Sequence, residues 1–294
     1  MRWRALAPGK VNLSLFMGGV RPDGRHELVT VFESVSLADE LELAVLEDGA
    51  DQVVCPGVEG ENLVSVALER LRGRGWDGPA VRIRLSKWIP VAGGMGGGSA
   101  DAAAALRLAA ALEPFPDELA LELAIGLGAD VPSQLMPGVV LGVGAGDRIE
   151  PAPALAEHAF VIIPQDMELP TAEVYAEADR LGLGRGAEEL ASLRERVSAA
   201  LTPGARLPAE LVVNDLEPAS LSLCPRIADA LSAARSAGAD DVLVSGSGPT
   251  VAAVFWGEGA AERAADGEAD LAGRYPEAYA AEPVGPSFGA PQRT

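Results

Sequence analysis

The sequence is poor in the residues that build disulfides, metal centres and proton relays. Its 294 residues hold two cysteines, Cys55 and Cys224, and two histidines, His26 and His158, far apart along the chain. That excludes a disulfide scaffold, and no His/Cys metal site is expected. Lysine is scarcer still against its background: of 23 basic residues only Lys10 and Lys87 are lysine, and the rest are arginine. The two are not equivalent where a compact point charge must meet a phosphate, so both lysines are candidates for function. The net charge of −20 leaves no broad basic surface for nucleic acid or an anionic membrane. No apolar run is long enough to span a bilayer, and Met1–Pro8 lacks the apolar core of a signal peptide. The expectation is a cytoplasmic chain.

Glycine is abundant, and it is concentrated. Gly93, Gly94, Gly96, Gly97 and Gly98 surround Met95 within Pro90-Val91-Ala92-Gly93-Gly94-Met95-Gly96-Gly97-Gly98-Ser99-Ala100-Asp101. Each glycine costs a helix or strand about 0.5–1 kcal/mol, so the run reads as a loop. Before it, Val81-Arg82-Ile83-Arg84-Leu85 alternates like a half-buried strand. After it, Ala102–Leu106 opens an alanine-rich helix over 101–112. Strand, glycine loop and helix start together offer backbone N–H groups to phosphate oxygens, with Ser99 as cap and Asp101 as first-turn acid. Neither common nucleotide fingerprint fits. Gly93 to Gly98 has the Walker spacing but lacks Lys-Ser/Thr after it, and Gly94-Met95-Gly96 meets Ser99 where a dinucleotide motif needs glycine.

At 48% hydrophobic and 22% charged, the chain suits a globular protein of one large or two ordinary domains. In order, the patterns predict a turn feeding a strand at Leu6–Phe16 with Lys10 at its mouth, then a turn at Arg21–Glu27. Strands follow at 28–35 and 41–46, and helices at 62–71 and 119–127. A strand at 139–143 precedes a weak boundary at Pro151–Ala154. Beyond it come a strand at 159–163, a helix at 171–181 capped by Thr171, and a helix at 225–237. Two strands then flank the tight turn Ser245-Gly246-Ser247-Gly248-Pro249-Thr250. That order reads as an α+β sandwich. The domains are therefore set at 1–153 and 154–282, with 283–294 as a flexible tail.

Three segments together resemble the GHMP kinase superfamily: Ala7-Pro8-Gly9-Lys10-Val11-Asn12, Pro90–Ala100 and Ser245–Thr250. Three more, Arg21–Leu28, Leu127-Gly128-Ala129-Asp130-Val131-Pro132 and Asn214-Asp215-Leu216-Glu217, resemble its branch that phosphorylates a cytidyl diphosphate sugar-alcohol. The resemblance implies an ATP-dependent small-molecule kinase of two domains. The first would be ribosomal-protein-S5-domain-2-like with a left-handed β-α-β unit, the second ferredoxin-like. Pro90–Ala100 would be the ATP phosphate loop, with Lys10 and Asp130 as the catalytic pair. Asn12, Arg25, His26 and Tyr175 would bind substrate, with Arg25 standing where the branch usually has tyrosine. Asn62 and Lys87 would be further ATP contacts, and Ser247 and Gly248 would bring the second glycine turn to the cleft. Mg²⁺ would arrive with the nucleotide. Other acceptors in the superfamily (homoserine, mevalonate, a sugar) and a non-catalytic nucleotide-binding protein are the competing readings. The assembly expected is a monomer or weak homodimer.

Overall fold

Two long apolar strands open the chain. In the computed structural model, which describes residues 1–58, 60, 62–90 and 93–294, β1 (Arg2–Val20) and β2 (His26–Val45) pair antiparallel over most of their length. The strand expected to begin near Lys10 therefore runs through it, and the two strands expected at 28–35 and 41–46 are one. Residues that read as breakers are absorbed as irregularities. Pro8 has no N–H to give a ladder. The register jumps there, from Pro8 opposite Ala38 to Lys10 opposite Ser34. Such a bulge re-aims the side chains beside it. The Lys10 N–H donates to Met95 O at 2.9 Å, tying β1 to the glycine segment.

The first half continues with β3 (Gln52–Val54), α1 (Leu63–Gly73), β4 (Val81–Ser86), α2 (Gly97–Leu112), α3 (Asp117–Leu127), α4 (Val131–Leu135), β5 (Val139–Gly144) and β6 (Arg148–Ala152). Strand β2 branches the sheet: Leu28–Glu33 pairs with β5 and Glu40–Val45 with β4. β3 lies parallel to β4, with α1 as the crossover between them. Helix α2 is buried on two sides, which is why it is made of alanine. Ala100, Ala104 and Ala105 pack on Ala5, Ala7, Leu41 and Ile83 of the sheet. Ala102, Ala103 and Ala109 pack on Ala67 and Leu71 of α1 and Leu123 of α3.

The second half holds β7 (His158–Ile163), α5 (Thr171–Leu181), α6 (Ala187–Ala200), α7 (Glu217–Leu223), α8 (Ile227–Ser236), β8 (Asp241–Val244), β9 (Val251–Trp256), α9 (Ala260–Leu271), β10 (Tyr279–Ala281) and β11 (Gln292–Arg293). Its antiparallel sheet runs β10-β7-β9-β8, the order of a ferredoxin-like β-α-β-β-α-β unit. α7 was not expected; Pro218 at its start suits a helix N-terminus. The expected flexible tail is replaced by ordered chain. β11 pairs with Trp3 and Arg4 of β1, and Gly289 O accepts from Arg107 Nε at 3.0 Å.

The two sheets share one apolar core, in which Val11, Leu13, Val31 and Leu141 meet Phe160, Ile162, Ala252 and Val254. A buried pair crosses the same boundary, His158 Nε2 to Glu33 Oε2 at 2.8 Å. His158 Nδ1 lies 2.7 Å from Ala156 O, so both ring nitrogens face oxygen. Burial pulls this imidazole's pKa down, the Glu33 hydrogen bond and charge pull it up, and the balance is upward.

Candidate active site

The bulge at Pro8 and the glycine segment meet at Lys10. Its side chain is almost fully buried, yet it lines a cleft of about 1040 Å³ that runs between the two sheets' edges. Lys10 Nζ donates to Asn12 Oδ1 at 2.6 Å and to Gly94 O at 3.0 Å, and stands 3.6 Å from Asp130 Oδ2. Asn12 is fixed in turn, its Nδ2 donating to Thr30 Oγ1 at 2.8 Å, which donates to Ser14 O at 2.7 Å. Thr30 escaped the sequence reading because it sits inside an apolar strand with no motif around it. Asp130 reaches the same point from the loop before α4, with its side chain about a third exposed (34%). One cation, one half-open carboxylate and a set amide thus face the mouth of α2.

The helix begins earlier than its composition suggested. Gly96 is its N-cap at φ 67°, and Gly97 is already helical. Ser99 is therefore in the first turn, where it lines the cleft without capping, and Asp101 is the fifth helical residue. The unpaired N–H groups of a first turn then belong to Gly97, Gly98 and Ser99. Ala100, expected in the phosphate loop, faces the core instead. Val91 and Ala92 lie outside the described residues. Gly94, at φ 77°, is where glycine is required most: a Cβ would stand 2.6 Å from Ser245 O and 2.7 Å from Gly248 O.

At the end of the cleft beyond α2's first turn stand Asn62, Leu63, Cys55 and Lys87. Asn62 lines it while its Oδ1 accepts from Val64 N at 2.9 Å as the cap of α1. Lys87 is held between the Asp39 and Asp101 carboxylates, with Asp101 Oδ2 at 2.6 Å. The two acids and Cys55 were not on the sequence-based list of site residues. Asp101 looked like a helix-start acid, and Asp39 carried no motif.

The opposite end is made of side chains from the β1–β2 turn and α5. His26 stacks on Tyr175, with centroids 5.0 Å apart and planes at 23°. Its Nε2 lies 2.8 Å from Asp179 Oδ1, on a carboxylate side chain that is half exposed (51%). Burial first, and the charge of Asp130 second, push the Tyr175 hydroxyl up from its ordinary pKa, so it stays protonated. Arg25 lines this end but is turned onto Asp23 at 3.0 Å and Asp147 at 3.1 Å. A guanidinium stacked in place of the usual tyrosine ring is therefore not what the structure holds.

The second glycine turn closes the cleft from above. Gly246 and Ser247 line it, while Gly248 packs beneath against Val244. Ser247 Oγ bonds Thr171 Oγ1 at 3.0 Å, so Thr171 serves this turn and Pro170 takes the cap position of α5. Asn214 Nδ2 holds the turn from behind, donating to Val244 O and Gly246 O at 2.7 Å each. Among the described residues no group of three or more His, Cys, Asp or Glu side chains is placed to hold a metal ion. No helix there is long and apolar enough to cross a membrane.

Residues 62–138 match the family described as GHMP kinases N terminal domain, and residues 187–267 match GHMP kinases C terminal. The chain is 42% identical over 254 residues to a 4-diphosphocytidyl-2-C-methyl-D-erythritol kinase from Streptomyces coelicolor, covering 83% of this chain and 85% of that one. A protein of the same name from Corynebacterium efficiens is 40% identical over 270 residues, 86% of this chain and 84% of its own. Among solved structures, a crystal structure of 4-(cytidine 5'-diphospho)-2C-methyl-D-erythritol kinase superposes with a TM-score of 0.75 at 30% identity. It covers 96% of this chain and 99% of that one.

Proposed function

The chain belongs to the GHMP kinases, in the branch of the 4-diphosphocytidyl-2-C-methyl-D-erythritol kinases, and from that membership we propose how its cleft works. The reaction moves the γ-phosphoryl group of ATP to the 2-hydroxyl of 4-diphosphocytidyl-2-C-methyl-D-erythritol, in isoprenoid precursor synthesis. The observation that carries the assignment of roles is Lys10 Nζ at 3.6 Å from Asp130 Oδ2, in front of the first turn of α2.

The triphosphate lies against the N–H groups of Gly97, Gly98 and Ser99, where the helix dipole favours negative charge. The acceptor hydroxyl lies between Asp130 and the γ-phosphate. A carboxylate deprotonates an alcohol poorly at the outset. It is useful late, when the hydroxyl has become acidic by bonding to phosphorus. Lys10, already bonded to Asn12 and Gly94, places its remaining N–H toward Asp130 and the transferred group, where negative charge is redistributed. His26 and Tyr175 hold the cytidyl end.

Ser99 and Asp130 are side-chain oxygens that line the cleft beside the loop. That set suits Mg²⁺ held chiefly by phosphates and water. The ion supplies charge neutralisation on the β- and γ-phosphates.

Asp130→Asn preserves shape and removes the base, so kcat falls by roughly 10²–10⁴ with ATP affinity little changed. Lys10→Arg keeps the charge but moves it, and is nearly as damaging if placement is what counts. Steady-state kinetics with the cytidyl substrate, and calorimetric ATP titration on the same proteins, check both. Near-normal kcat in Asp130→Asn would remove its role.

A further inference from the structure

The glycine loop has two stems, the end of β4 and the first turns of α2, and one cluster joins them. Asp39, buried in β2, accepts at Oδ1 from Trp88 N at 2.6 Å and Ile89 N at 2.8 Å, which fixes the stem leaving β4. Its other oxygen pairs with Lys87, and Lys87 reaches across to Asp101 Oδ2 at 2.6 Å on α2. Between the stems, Ile89 packs under Gly97, where an added Cβ would meet Ile89 Cγ2 at 3.1 Å and Lys87 Nζ at 3.4 Å. Among the described residues the rest of the loop is tied by Lys10, through Met95 O and Gly94 O, and by Ser245 Oγ, which donates to Gly94 O at 3.4 Å.

We propose that Asp39, Lys87 and Asp101 form a bolt across the two stems of the phosphate loop, which makes Lys87 and Asp101 positioning residues for nucleotide binding. This rests on the reading that the loop holds the triphosphate. The argument is one of arrangement. A glycine-rich loop has many conformations, and its N–H groups converge on a phosphate only when both stems are held at the right separation. Binding then costs less because the order is already present. An ion pair buried between the stems supplies that constraint where no side chain in the loop itself can. The cluster is also built at a disadvantage, which a purely structural pair would not need. One ammonium faces two buried carboxylates, and among the described residues Asp101 Oδ1 finds no hydrogen-bond partner. An apolar contact there would serve stability better.

Asp101 sits in the cleft wall with its carboxylate buried against Lys87, so it acts on the nucleotide through that lysine. Asp101→Asn keeps the shape but weakens the grip on Lys87. If the unbolted loop holds its competent arrangement about a tenth of the time, the apparent Kd for ATP rises about tenfold. The kcat at saturating ATP and the KM for the cytidyl substrate stay within about twofold, because Lys10, Asp130 and the far end of the cleft are untouched. Amide hydrogen exchange over 93–98 quickens in the variant, while the melting temperature does not fall. Lys87→Met weakens ATP binding comparably, and the double variant is no worse than the single ones. Lys87→Met leaves two carboxylates facing each other; if it does not fold, Asp101→Asn carries the test alone. Unchanged ATP affinity and loop exchange in Asp101→Asn would overturn the bolt, whatever Lys87→Met does. Lost affinity accompanied by a lowered melting temperature would reduce Asp101 to a structural residue and overturn it as well. Wild-type protein that binds no ATP would instead strike down the nucleotide reading on which the bolt depends.

Discussion

The two ends of the cleft are built on different plans. The end at α2 is made of backbone N–H groups and glycines, closed from behind by the charges of Asp39 on β2, Lys87 just after β4 and Asp101 on α2. The end at His26 is made of side chains from a turn and an exposed helix. Its polar groups are already engaged with carboxylates of their own surroundings, His26 with Asp179 and Arg25 with Asp23 and Asp147. A site of the first kind is ready before the ligand arrives, and its tolerance for change is small. A site of the second kind must exchange partners as the ligand arrives. Losing one of its bonds costs no more than the difference between two hydrogen bonds.

The sharpest way to break this contrast is a single methyl group at each end. Gly94 and Gly24 both adopt positive φ, 77° and 81°. A Cβ at Gly24 meets nothing within 4 Å, whereas at Gly94 it lands on two backbone oxygens of the second glycine turn. Strain of this kind costs about 1–3 kcal/mol by itself. Gly24→Ala should therefore lose a little stability and keep both ligands. Gly94→Ala adds displacement of the loop against Ser245 and Gly248, and ATP affinity should fall about 100-fold or more. Calorimetry on the two folded variants decides it. Equal ATP binding in both would mean that the loop adapts and that the α2 end is not preformed.

What could be read from the chain divides along the same line. The glycine loop and the second glycine turn were legible from their composition and Lys10 from the scarcity of lysine, whereas Asp130 stood out only through the family resemblance. The start of α2 was misplaced by about one turn: Ser99 looked like the cap, yet Gly96 in the left-handed region starts the helix. Asp101 was legible as an acid near a helix start, but its pairing with Lys87 depends on how the chain folds back across the glycine loop. Pro8 shows the opposite error. It read as a turn, and the sheet absorbed it as a register shift that brings Lys10 to the loop. The tail read as frayed because its proline and glycine are loop-forming, yet an unpaired edge of β1 gives it a partner.

The His26 end should respond in smaller steps. His26→Ala removes a hydrogen-bonding ring and its stack on Tyr175, each worth about 0.5–1.5 kcal/mol. The KM for the cytidyl substrate should rise about tenfold or more. Asp179→Asn leaves the ring in place and can still accept from Nε2, and a pair whose carboxylate is half exposed contributes only about 0–1 kcal/mol. Its KM should rise no more than about fivefold, with ATP affinity unchanged in both variants. Substrate-dependence curves at saturating ATP measure this. An Asp179→Asn effect as large as that of His26→Ala would show this end to be as tightly prearranged as the other.

The smallest effect expected concerns what the bolt costs. Burial, opposed by Lys87 but reinforced by Asp39, pushes the Asp101 carboxyl up to about 7 from its ordinary 3.8. A folded-state value above the unfolded one means that ionised Asp101 works against folding. Its contribution to stability is complete below about pH 3.8 and is lost progressively as the pH rises to about 7. Asparagine at 101 has no such penalty, and Asp39 still holds Lys87 in its absence. The melting temperatures of wild type and Asp101→Asn should therefore be similar near pH 4 and diverge by pH 8, with the variant higher by a few degrees, at about 2–4 °C per kcal/mol. Scanning calorimetry across that range tests the sign directly. If the grip of Lys87 outweighed the burial of Asp101, the variant would melt lower at pH 8, and the charge would be kept for stability. A variant that melts higher but binds ATP less tightly would show the reverse, a buried charge retained against stability because the loop needs it.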